Sequence, residues 1–329
     1  MRNYVIRRVL LMIPTIFIVT IIVFFLIRLI PGNIVDSMIG QVLQRGSTEV
    51  VDRAAIEHAL GLDVPVLTQY ARWIGVVPQM DGSFSGILQG DLGVSLWRDT
   101  TVLEEIAFRW PVTLELGVMG LIISQLIALP IGVFSALRQD KWGDYIGRSF
   151  AIMCMAVPGF WIGTLVIVFP SLWWGYMPPI LLTPFTEDPI GNLQMFIIPA
   201  VVLGMAMGGM TMRMTRTMML EVLRQDYIRT AWAKGLRERI IVMRHTLKNA
   251  LIPVITVIGW QVPVLVGGTV IIEQIFCLPG MGRLFLDATL HRDYPVVSGV
   301  TLVFGLGMVL INLVVDITYG FLDPRVHYR

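Results

Sequence analysis

The sequence predicts an all-α integral membrane protein with six transmembrane helices, both termini cytoplasmic and a long outer loop after the first helix. Three observations lead to this fold class: the composition, the length of the apolar runs and the distribution of positive charge. Of the 329 residues, 55% are hydrophobic and only 15% are charged, whereas soluble domains carry about 25% charged residues. This shortage of charge indicates that much of the surface faces lipid.

Six apolar runs are long enough to cross a bilayer, which takes about 20 residues of helix. The predicted spans are residues 9–30, 111–137, 149–172, 195–212, 250–272 and 295–320. Arg2, Arg7 and Arg8 precede the first span, as they would precede a signal peptide. Its apolar run exceeds the usual length of about 7–15 residues, and no small-residue cleavage site follows. We therefore expect it to remain as the first helix.

Positive charge is concentrated on one side of this six-span arrangement. The N-terminus, 138–148, 213–249 and the C-terminal tail hold 17 of the 25 lysine and arginine residues, including every lysine. The loops on the other side, 31–110, 173–194 and 273–294, are net acidic. Because positively charged loops remain in the cytoplasm, both termini are predicted to be cytoplasmic. An even number of spans requires the same orientation for both ends.

The same arrangement divides the chain into four parts. Residues 1–30 are predicted to form a cytoplasmic N-terminus and the first transmembrane helix, and 31–110 an extracytoplasmic loop or cap. Residues 111–320 would form a five-helix core that includes a cytoplasmic loop at 213–250, and 321–329 a cytoplasmic tail. In the outer loop, AIEHALGL has helical spacing and a glycine stop. This favours a small helical cap, with a disordered tether as the alternative.

Proline and glycine interrupt several spans, and at 259–269 Gln261, Pro263 and the pair Gly267 and Gly268 occur together. Broken helices are tolerated in lipid where they line a cavity, and discontinuous spans point to the binding sites of transporters. Gln261, Gly267 and Gly268 are therefore candidate pathway residues. The alternative is that glycine and proline are simply common in membrane helices.

Glu115 is the acidic residue of the second span and lies near its outer end. Charged residues within spans usually face a bundle interior or an aqueous cavity, which makes Glu115 a further candidate for the pathway. The alternative is an ion pair at the membrane surface with an arginine such as Arg28 or Arg109.

The sequence holds no pattern that indicates catalysis. The G-x-x-x-x-G-K-[ST] phosphate loop is absent, and the histidines are scattered without metal-ligand spacing. Cys154 and Cys277 cannot form a disulfide framework, so two isolated thiols are expected. We predict that this chain is not an enzyme and that it has no catalytic residue, no metal site and no cofactor of its own.

The loop between the fourth and fifth spans is strongly basic and patterned. Residues 226–253, DYIRTAWAKGLRERIIVMRHTLKNALIP, hold seven basic side chains, counting His245, against two acidic ones. Gly235 can end one helix and start another. The loop is therefore predicted to be a short surface helix, a glycine hinge and a second helix that leads into the next span.

Both helices of this loop are predicted to be amphipathic. Ile228, Ala231 and Trp232 would form the apolar face of the first. The apolar stripe of the second is predicted at Ile240, Met243, Leu247, Ala250 and Leu251. A surface helix that holds anionic lipid is one alternative. The small side chains of Thr230, Ala231 and Ala233 instead favour close contact with another protein.

This loop resembles the cytoplasmic coupling loop, or EAA loop, of permease subunits in bacterial ABC importers. That pattern has Glu-Ala-Ala, three residues, Gly, nine residues and then Ile-x-Leu-Pro. In this sequence the positions are occupied by Arg229, Thr230 and Ala231, by Gly235, and by His245, Thr246, Leu247 and Lys248. The glycine and the leucine keep their spacing. The form R-T-A-x-A-K-G is usual in the dipeptide/oligopeptide/nickel permeases, where x is often Arg and is Trp232 in this chain.

The similarity extends over most of the chain. It includes RRVLLMIPTIF at the start, GDLGVSL in the outer loop, and NALIPVITVIG, EQIFCLPGMGRLF and NLVVDITYGFLDPRV further on. The sequence is identified as similar to the first-named, B-type membrane subunit of that importer family. The resemblance implies that the ATPase-coupling residues are Arg229, Thr230, Ala231, Trp232, Ala233, Gly235, Leu236 and Leu247.

The resemblance also implies the partners and the location. They are a homologous second permease subunit, two cytoplasmic ATPase subunits that bind ATP and Mg, and an extracytoplasmic solute-binding protein. The setting is the lipid bilayer of the bacterial cytoplasmic (inner) membrane, which the chain crosses several times, and no nucleic acid is implied. Di- or oligopeptides are the expected substrates, with nickel, glutathione or opines as alternatives in the same architecture.

Two other classes of protein fit the sequence less well. A secondary transporter would need ionisable residues within its spans and often an internal repeat, and the spans of this chain are nearly free of charge. A lipid-binding scaffold would depend on Arg237, Arg239 and Arg244, whereas a coupling loop would depend on Ala231 and Gly235.

Overall fold

The protein is described by a computed structural model that covers residues 2–29, 35–36, 39, 52–59, 61–98, 100–179, 181–267 and 269–322. Within these ranges the regular secondary structure is helical, with turns and irregular segments between the helices. The pairing of Val94 with Thr101 is an isolated antiparallel bridge rather than a strand. The predicted all-α membrane fold is confirmed. The sides on which the termini lie stay a prediction.

The helices that position the functional site follow one another along the chain. In order they are α1 (Arg2–Arg28), α2 (Arg53–Ala59), α3 (Val66–Ile74), α4 (Val102–Leu137), α5 (Trp142–Ala156), α6 (Gly159–Trp174), α7 (Pro189–Leu223), α8 (Asp226–Ala233), α9 (Glu238–Gly267), α10 (Val270–Ile275), α11 (Met281–Leu290) and α12 (Tyr294–Leu322). Helix α9 includes a π-helical stretch, Ile241–Leu247, and a turn after Gln261.

Five of the helices, α1, α4, α7, α9 and α12, contain stretches long and apolar enough to cross a membrane. The third predicted span, 149–172, is not a single helix. It is the pair α5 and α6, whose axes are bent by 96°, and six spans result only if this pair counts as one. The bend falls at Pro158, whose ring disfavours helical backbone at the residue before it. Val157 is accordingly extended, with φ −85° and ψ 124°.

Two helices are longer than the apolar runs that predicted them. Helix α4 begins at Val102 rather than at 111, and α7 covers Pro189–Leu223 rather than 195–212. The start of α7 has a local cause: the Asp188 carboxylate accepts hydrogen bonds from the amides of Ile190 and Gly191 at 3.1 and 3.0 Å. An aspartate cap followed by proline is a favourable helix start, and it adds polar turns outside the apolar run.

The chain divides into two compact units, and each is described by itself. The first comprises residues 1–6, 111–283 and 310–329, and α7 lies at its centre. Phe196 and Leu203 of α7 are buried in one cluster with Leu116 of α4 and Phe276 next to α10. Close approach of α4 and α7 is permitted by Gly204, because a Cβ there would lie 2.8 Å from the Gly120 carbonyl oxygen. Small residues at helix contacts are typical of membrane proteins.

The second unit comprises residues 7–110 and 284–309. In it, α3 packs on α1: the hydroxyls of Tyr70 and Thr20 are 2.9 Å apart, and the rings of Tyr70 and Phe24 are 5.0 Å apart. Arg28 lies over the Phe24 ring and donates a hydrogen bond to Gln69. Helix α3 of the outer loop is therefore packed on the first helix, and the extracytoplasmic cap stays a prediction.

Candidate functional site

The segment 226–253 folds as the short helix α8, a turn at Gly235 and the start of α9. The turn closes α8 with two backbone hydrogen bonds, from Leu236 to the Ala231 carbonyl at 3.3 Å and from Gly235 to the Trp232 carbonyl at 2.9 Å. This pair of bonds is a Schellman motif, which requires a left-handed residue after the helix. Gly235 supplies it with φ +75°. The predicted helix break at Gly235 is confirmed.

One side of α8 is packed inward. Ile228 is fully buried and Ala231 is 8% exposed, and both belong to a cluster with Ile241 of α9, against which Val222 of α7 packs. Trp232 was predicted to share this face, but its side chain is 47% exposed. Ala231 and Trp232 lie on the two flanks of Ile228, about 100° apart around the helix axis, and only Ala231 is turned toward the cluster that contains Ile241. The side chain of Ala231 thus makes contacts within this chain.

The outer side of α8 and its turn form a continuous exposed surface. Its side chains are Tyr227, Arg229, Thr230, Trp232, Ala233 and Leu236, and we call it the outer face of α8. Of the small residues predicted to allow close contact, Thr230 and Ala233 lie on this face and Ala231 does not. The structure therefore brings together most of the predicted coupling residues around one exposed tryptophan.

The first turns of α9 bury other residues than the sequence predicted. Ile240 and Met243, predicted to belong to an apolar stripe, are exposed, whereas Ile241, Val242 and Thr246 are buried. The cause is the π-helix Ile241–Leu247, whose i→i+5 bonding brings residues five apart onto one face. Leu247, a predicted coupling residue, is half-buried and packs on the cluster of Ala136, Met219, Val242 and Ala250.

A buried ion pair that the sequence did not predict fixes the helices above this segment. Asp144 of α5 is fully buried, and Arg216 of α7 donates to both of its carboxylate oxygens at 2.6 Å. Ser135 of α4 donates a further bond at 2.5 Å, and the Asp140 amide another at 3.0 Å. Buried bidentate pairs with every acceptor used hold a defined geometry. Asp144 thereby joins α4, α5 and α7 about two turns before α7 ends.

Gln261, a candidate pathway residue, makes hydrogen bonds with both the nitrogen and the oxygen of its side-chain amide. Its Nε2 donates to the Met207 carbonyl and to Thr211 Oγ1, both at 3.0 Å, and its Oε1 accepts from Gln125 at 3.3 Å. The side chain therefore ties α9 to α7 and α4. Gly267 is exposed, with open space where a Cβ would stand. Gly268 lies outside the described residues.

Glu115 is half-buried in α4 and interacts with the side chain of Asn192. Asn192 in turn donates to the Thr183 carbonyl at 3.0 Å. The two arginines considered as partners have other contacts within their own unit, Arg28 with Gln69 and Arg109 with Glu105. Glu115 thus lies in a polar neighbourhood inside the helical core, which suits its role as a pathway candidate.

A second buried carboxylate, Glu273 of α10, organises the stretch after the fifth span. Its Oε1 accepts from Thr113 and Thr269 at 2.8 and 2.7 Å, and its Oε2 accepts from the Arg283 amide at 3.0 Å. A Cβ on Gly280 would lie 2.4 Å from the Glu273 carboxyl group. The only sequence signal for this arrangement was the glycine-rich stretch PGMG, because the Thr113 contact spans 160 positions.

These features define a class: a multi-pass membrane protein with a short exposed helix, α8, whose inner side is packed on its own membrane helices. Comparison with known proteins gives the family. Residues 128–328 match the binding-protein-dependent transport system inner membrane component family, and residues 1–117 match the N-terminal part of such membrane components. The chain belongs to this family.

Relatives align along the whole chain. A protein of Brucella suis biovar 1 that carries the name of a peptide transport system permease is 39% identical over 328 residues, covering 100% of both chains. The glutathione transport system permease protein GsiC of Salmonella typhimurium is 36% identical over 329 residues, again covering 100% of both. A crystal structure of an amino acid ABC transporter superposes with a TM-score of 0.48 at 12% identity, over 66% of this chain and 92% of that one.

Membership of the family establishes the general role. The protein is a multi-pass inner-membrane permease component of an ABC importer, and it is not an enzyme. ATP is hydrolysed by separate ATPase subunits, and the permease acts with such subunits and with a binding protein.

Proposed function

We propose that this permease carries di- or oligopeptides across the inner membrane. The support is the full-length similarity to a relative named for peptide transport, slightly higher than the similarity to a glutathione permease. Glutathione is itself a small peptide, so both relatives favour a peptide-like substrate over a bare metal ion. Glutathione is the second candidate substrate, and nickel and opines are the remaining ones.

The outer face of α8 is the proposed docking surface for an ATPase subunit. The observation that carries this proposal is the division of α8 into an anchored side and an exposed side. Ile228 and Ala231 hold the helix on Ile241, while Trp232 and Leu236 project from it. Exposed aromatic side chains surrounded by polar residues are typical anchors of protein interfaces.

The same packing would transmit movement of the ATPases into the membrane. Helix α8 contacts both α7, through Val222, and α9, through Ile241. The hydroxyl of Tyr227 also accepts a hydrogen bond from Asn249 of α9 at 2.9 Å. A push on α8 by an ATPase therefore acts on two spans at once. ATP binding would bias the spans between two arrangements, inward-facing and outward-facing.

The complete importer is proposed to hold a homologous second permease subunit, two ATPase subunits that bind ATP and Mg, and one solute-binding protein on the outer side. The pathway would form with the second permease subunit. Glu115, Gly267 and Gly268 remain its candidate lining residues. Gln261 is proposed to position the helices beside it, because its amide is already used in contacts between helices.

Uptake into proteoliposomes tests both the substrate and the coupling. The vesicles contain this subunit, its companion permease and ATPases, and the loaded binding protein, and they receive a labelled tetrapeptide, glutathione or nickel. ATP-dependent accumulation of the tetrapeptide is expected. Accumulation of glutathione or nickel alone would overturn the substrate proposal and keep the coupling proposal. Accumulation without ATPase subunits would overturn the coupling proposal.

A further inference from the structure

A lateral cavity lies among α4, α5 and α7, away from the outer face of α8. Its volume is about 310 Å³, at the lower end of the range of about 300–1,000 Å³ found for small-molecule sites. The lining residues are Ile131, Gly132, Ser135, Gly147, Arg148, Ala151, Ile152, Met155, Ala156, Met212, Arg213 and Arg216. Apart from Ser135 and the three arginines, the lining is apolar or glycine.

Two glycines that line the cavity stand where its helices are in close contact. A Cβ on Gly132 would lie 2.7 Å from the Thr215 side chain, and one on Gly147 would lie 3.2 Å from Ser135. A larger side chain at either position would therefore meet a neighbouring helix. At the open side, Ile152 and Met155 of α5 are exposed, with Ile152 62% exposed. The cavity thus opens along an apolar face of a membrane helix.

Three guanidinium groups gather at one end of the cavity, and only one of them is neutralised closely. Arg216 is held by Asp144. Arg148 approaches the same carboxylate only to 3.9 Å and is 41% exposed. Arg213 is exposed, and within the described residues its guanidinium has no ion pair within 4 Å. Positive charge is therefore available at the mouth for an anionic group.

The charged end lies at the level of a membrane surface. Trp142, 82% exposed, and Tyr145 stand at the start of α5, and exposed Trp and Tyr mark the headgroup region of membranes. Arg148 lies over the Tyr145 ring at 4.8 Å. From Arg148 to Ala156 the helix rises by about 12 Å, so the apolar part of the cavity extends toward the hydrocarbon. This is also the side on which lysine and arginine are concentrated.

We propose that this cavity binds an anionic phospholipid. Its phosphate is held by Arg148 and Arg213, and one acyl chain lies along Ile152, Met155 and Ala156. Basic pockets between membrane helices on the cytoplasmic side suit such headgroups. A free anion would leave the apolar part unoccupied. A zwitterionic lipid such as phosphatidylcholine carries a choline cation that offsets its phosphate, so it would leave the positive charge of the arginines uncompensated. The lipid would join α5 to α7 beside the Asp144–Arg216 pair, independently of the substrate that the importer carries.

Native mass spectrometry on the complex of this chain with its companion permease tests the proposal. Phosphatidylglycerol and phosphatidylcholine with the same acyl chains are added in turn. We expect phosphatidylglycerol to bind at least tenfold more tightly. The double variant Arg148→Gln/Arg213→Gln should lower that affinity about tenfold, and Arg138→Gln, an exposed arginine of the same region outside the lining, should leave it unchanged. Glycerol 3-phosphate should not compete.

A second variant tests the acyl chain without altering charge. Ala156→Trp fills the apolar end of the cavity and should also weaken phosphatidylglycerol binding. If the arginine variant does not assemble, the affinity of this variant for phosphatidylglycerol tests the proposal instead. Equal binding of the two lipids, unchanged binding by either variant, or competition by glycerol 3-phosphate would each overturn the proposal. Failure of the assembled complex to bind either lipid would also overturn it.

Discussion

Ala231 and Ile241, on either side of the turn at Gly235, are buried in one small cluster with Ile228, so α8 and the following span share a core. The residue that the resemblance places in the coupling motif therefore faces the permease itself. Trp232, its neighbour in sequence, faces outward. The two positions should have separable roles, one in holding α8 and the other in contacting the ATPase.

The first prediction compares Ala231→Leu with Trp232→Ala. Overpacking beside Ile241 should lower the stability of the complex by about 1–3 kcal/mol and reduce uptake. Trp232→Ala should leave the thermal midpoint of the permease unchanged and lower ATPase binding by tenfold or more, because it removes an interface anchor. Thermal unfolding and ATPase co-purification measure the two effects. Full ATPase retention by Trp232→Ala would contradict the proposed docking surface.

The second prediction concerns the backbone at Gly235. With φ +75° and open space around a Cβ, any penalty of substitution comes from conformation and not from a clash. Gly235→Val should cost about 1–2 kcal/mol and slow ATP-dependent uptake. Gly235→Asn should be milder, since asparagine tolerates this region. Equal uptake by the valine and asparagine variants would show that the turn does not constrain transport.

The third prediction tests the buried pair of Asp144 and Arg216. Either Asp144→Ala or Arg216→Ala leaves a charged group without its partner, and each should lower the unfolding free energy by about 3–5 kcal/mol. The double variant should lose less than the sum of the two. Thermal unfolding in detergent measures the cycle, and strictly additive losses would mean that the two side chains do not interact.

The fourth prediction concerns Glu273. Replacement by glutamine puts an NH₂ donor in place of one carboxylate oxygen. At Oε2 this donor would face the Arg283 amide, and at Oε1 it would leave the hydroxyls of Thr113 and Thr269 without their shared acceptor. The expected loss of unfolding free energy is about 1–3 kcal/mol. Gln274→Ala at the exposed neighbouring position is the control and should change little. If both variants unfold at the temperature of the unchanged protein, the Glu273 network is not a stabilising element.

Apolar run length and glycine chemistry were sufficient to predict much of this structure. Five spans follow from hydropathy, and the break at Gly235 follows from the conformational freedom of glycine. The 96° bend was missed because Pro158 lies inside one continuous apolar run, and hydropathy does not register a change of direction. The faces of α9 were misassigned since a π-helix obeys another spacing than the roughly 3.6 residues of an α-helix.

The buried carboxylates could not be predicted for a different reason. Asp144 and Arg216 are 72 positions apart, and Glu273 and Thr113 are 160 apart. No local pattern encodes such pairs, which exist only after the helices have packed. For Gln261 the sequence indicated a place in the pathway, because it lies in a broken stretch. Its hydrogen bonds could not be predicted, and they connect α9 to α7 and α4.

The length of α7 determines how far one of its ends is displaced when the helix tilts by a small angle. Its 35 residues span about 52 Å at 1.5 Å each, against a hydrocarbon thickness of about 30 Å. The helix ends at Leu223, only two residues before α8 begins at Asp226. If it pivots rigidly about one end, a tilt of about 10° displaces the other end by about 9 Å for that length. A rotation too small to break the contacts around Ala231 would therefore move the far end of α7 by several ångströms at the opposite membrane surface.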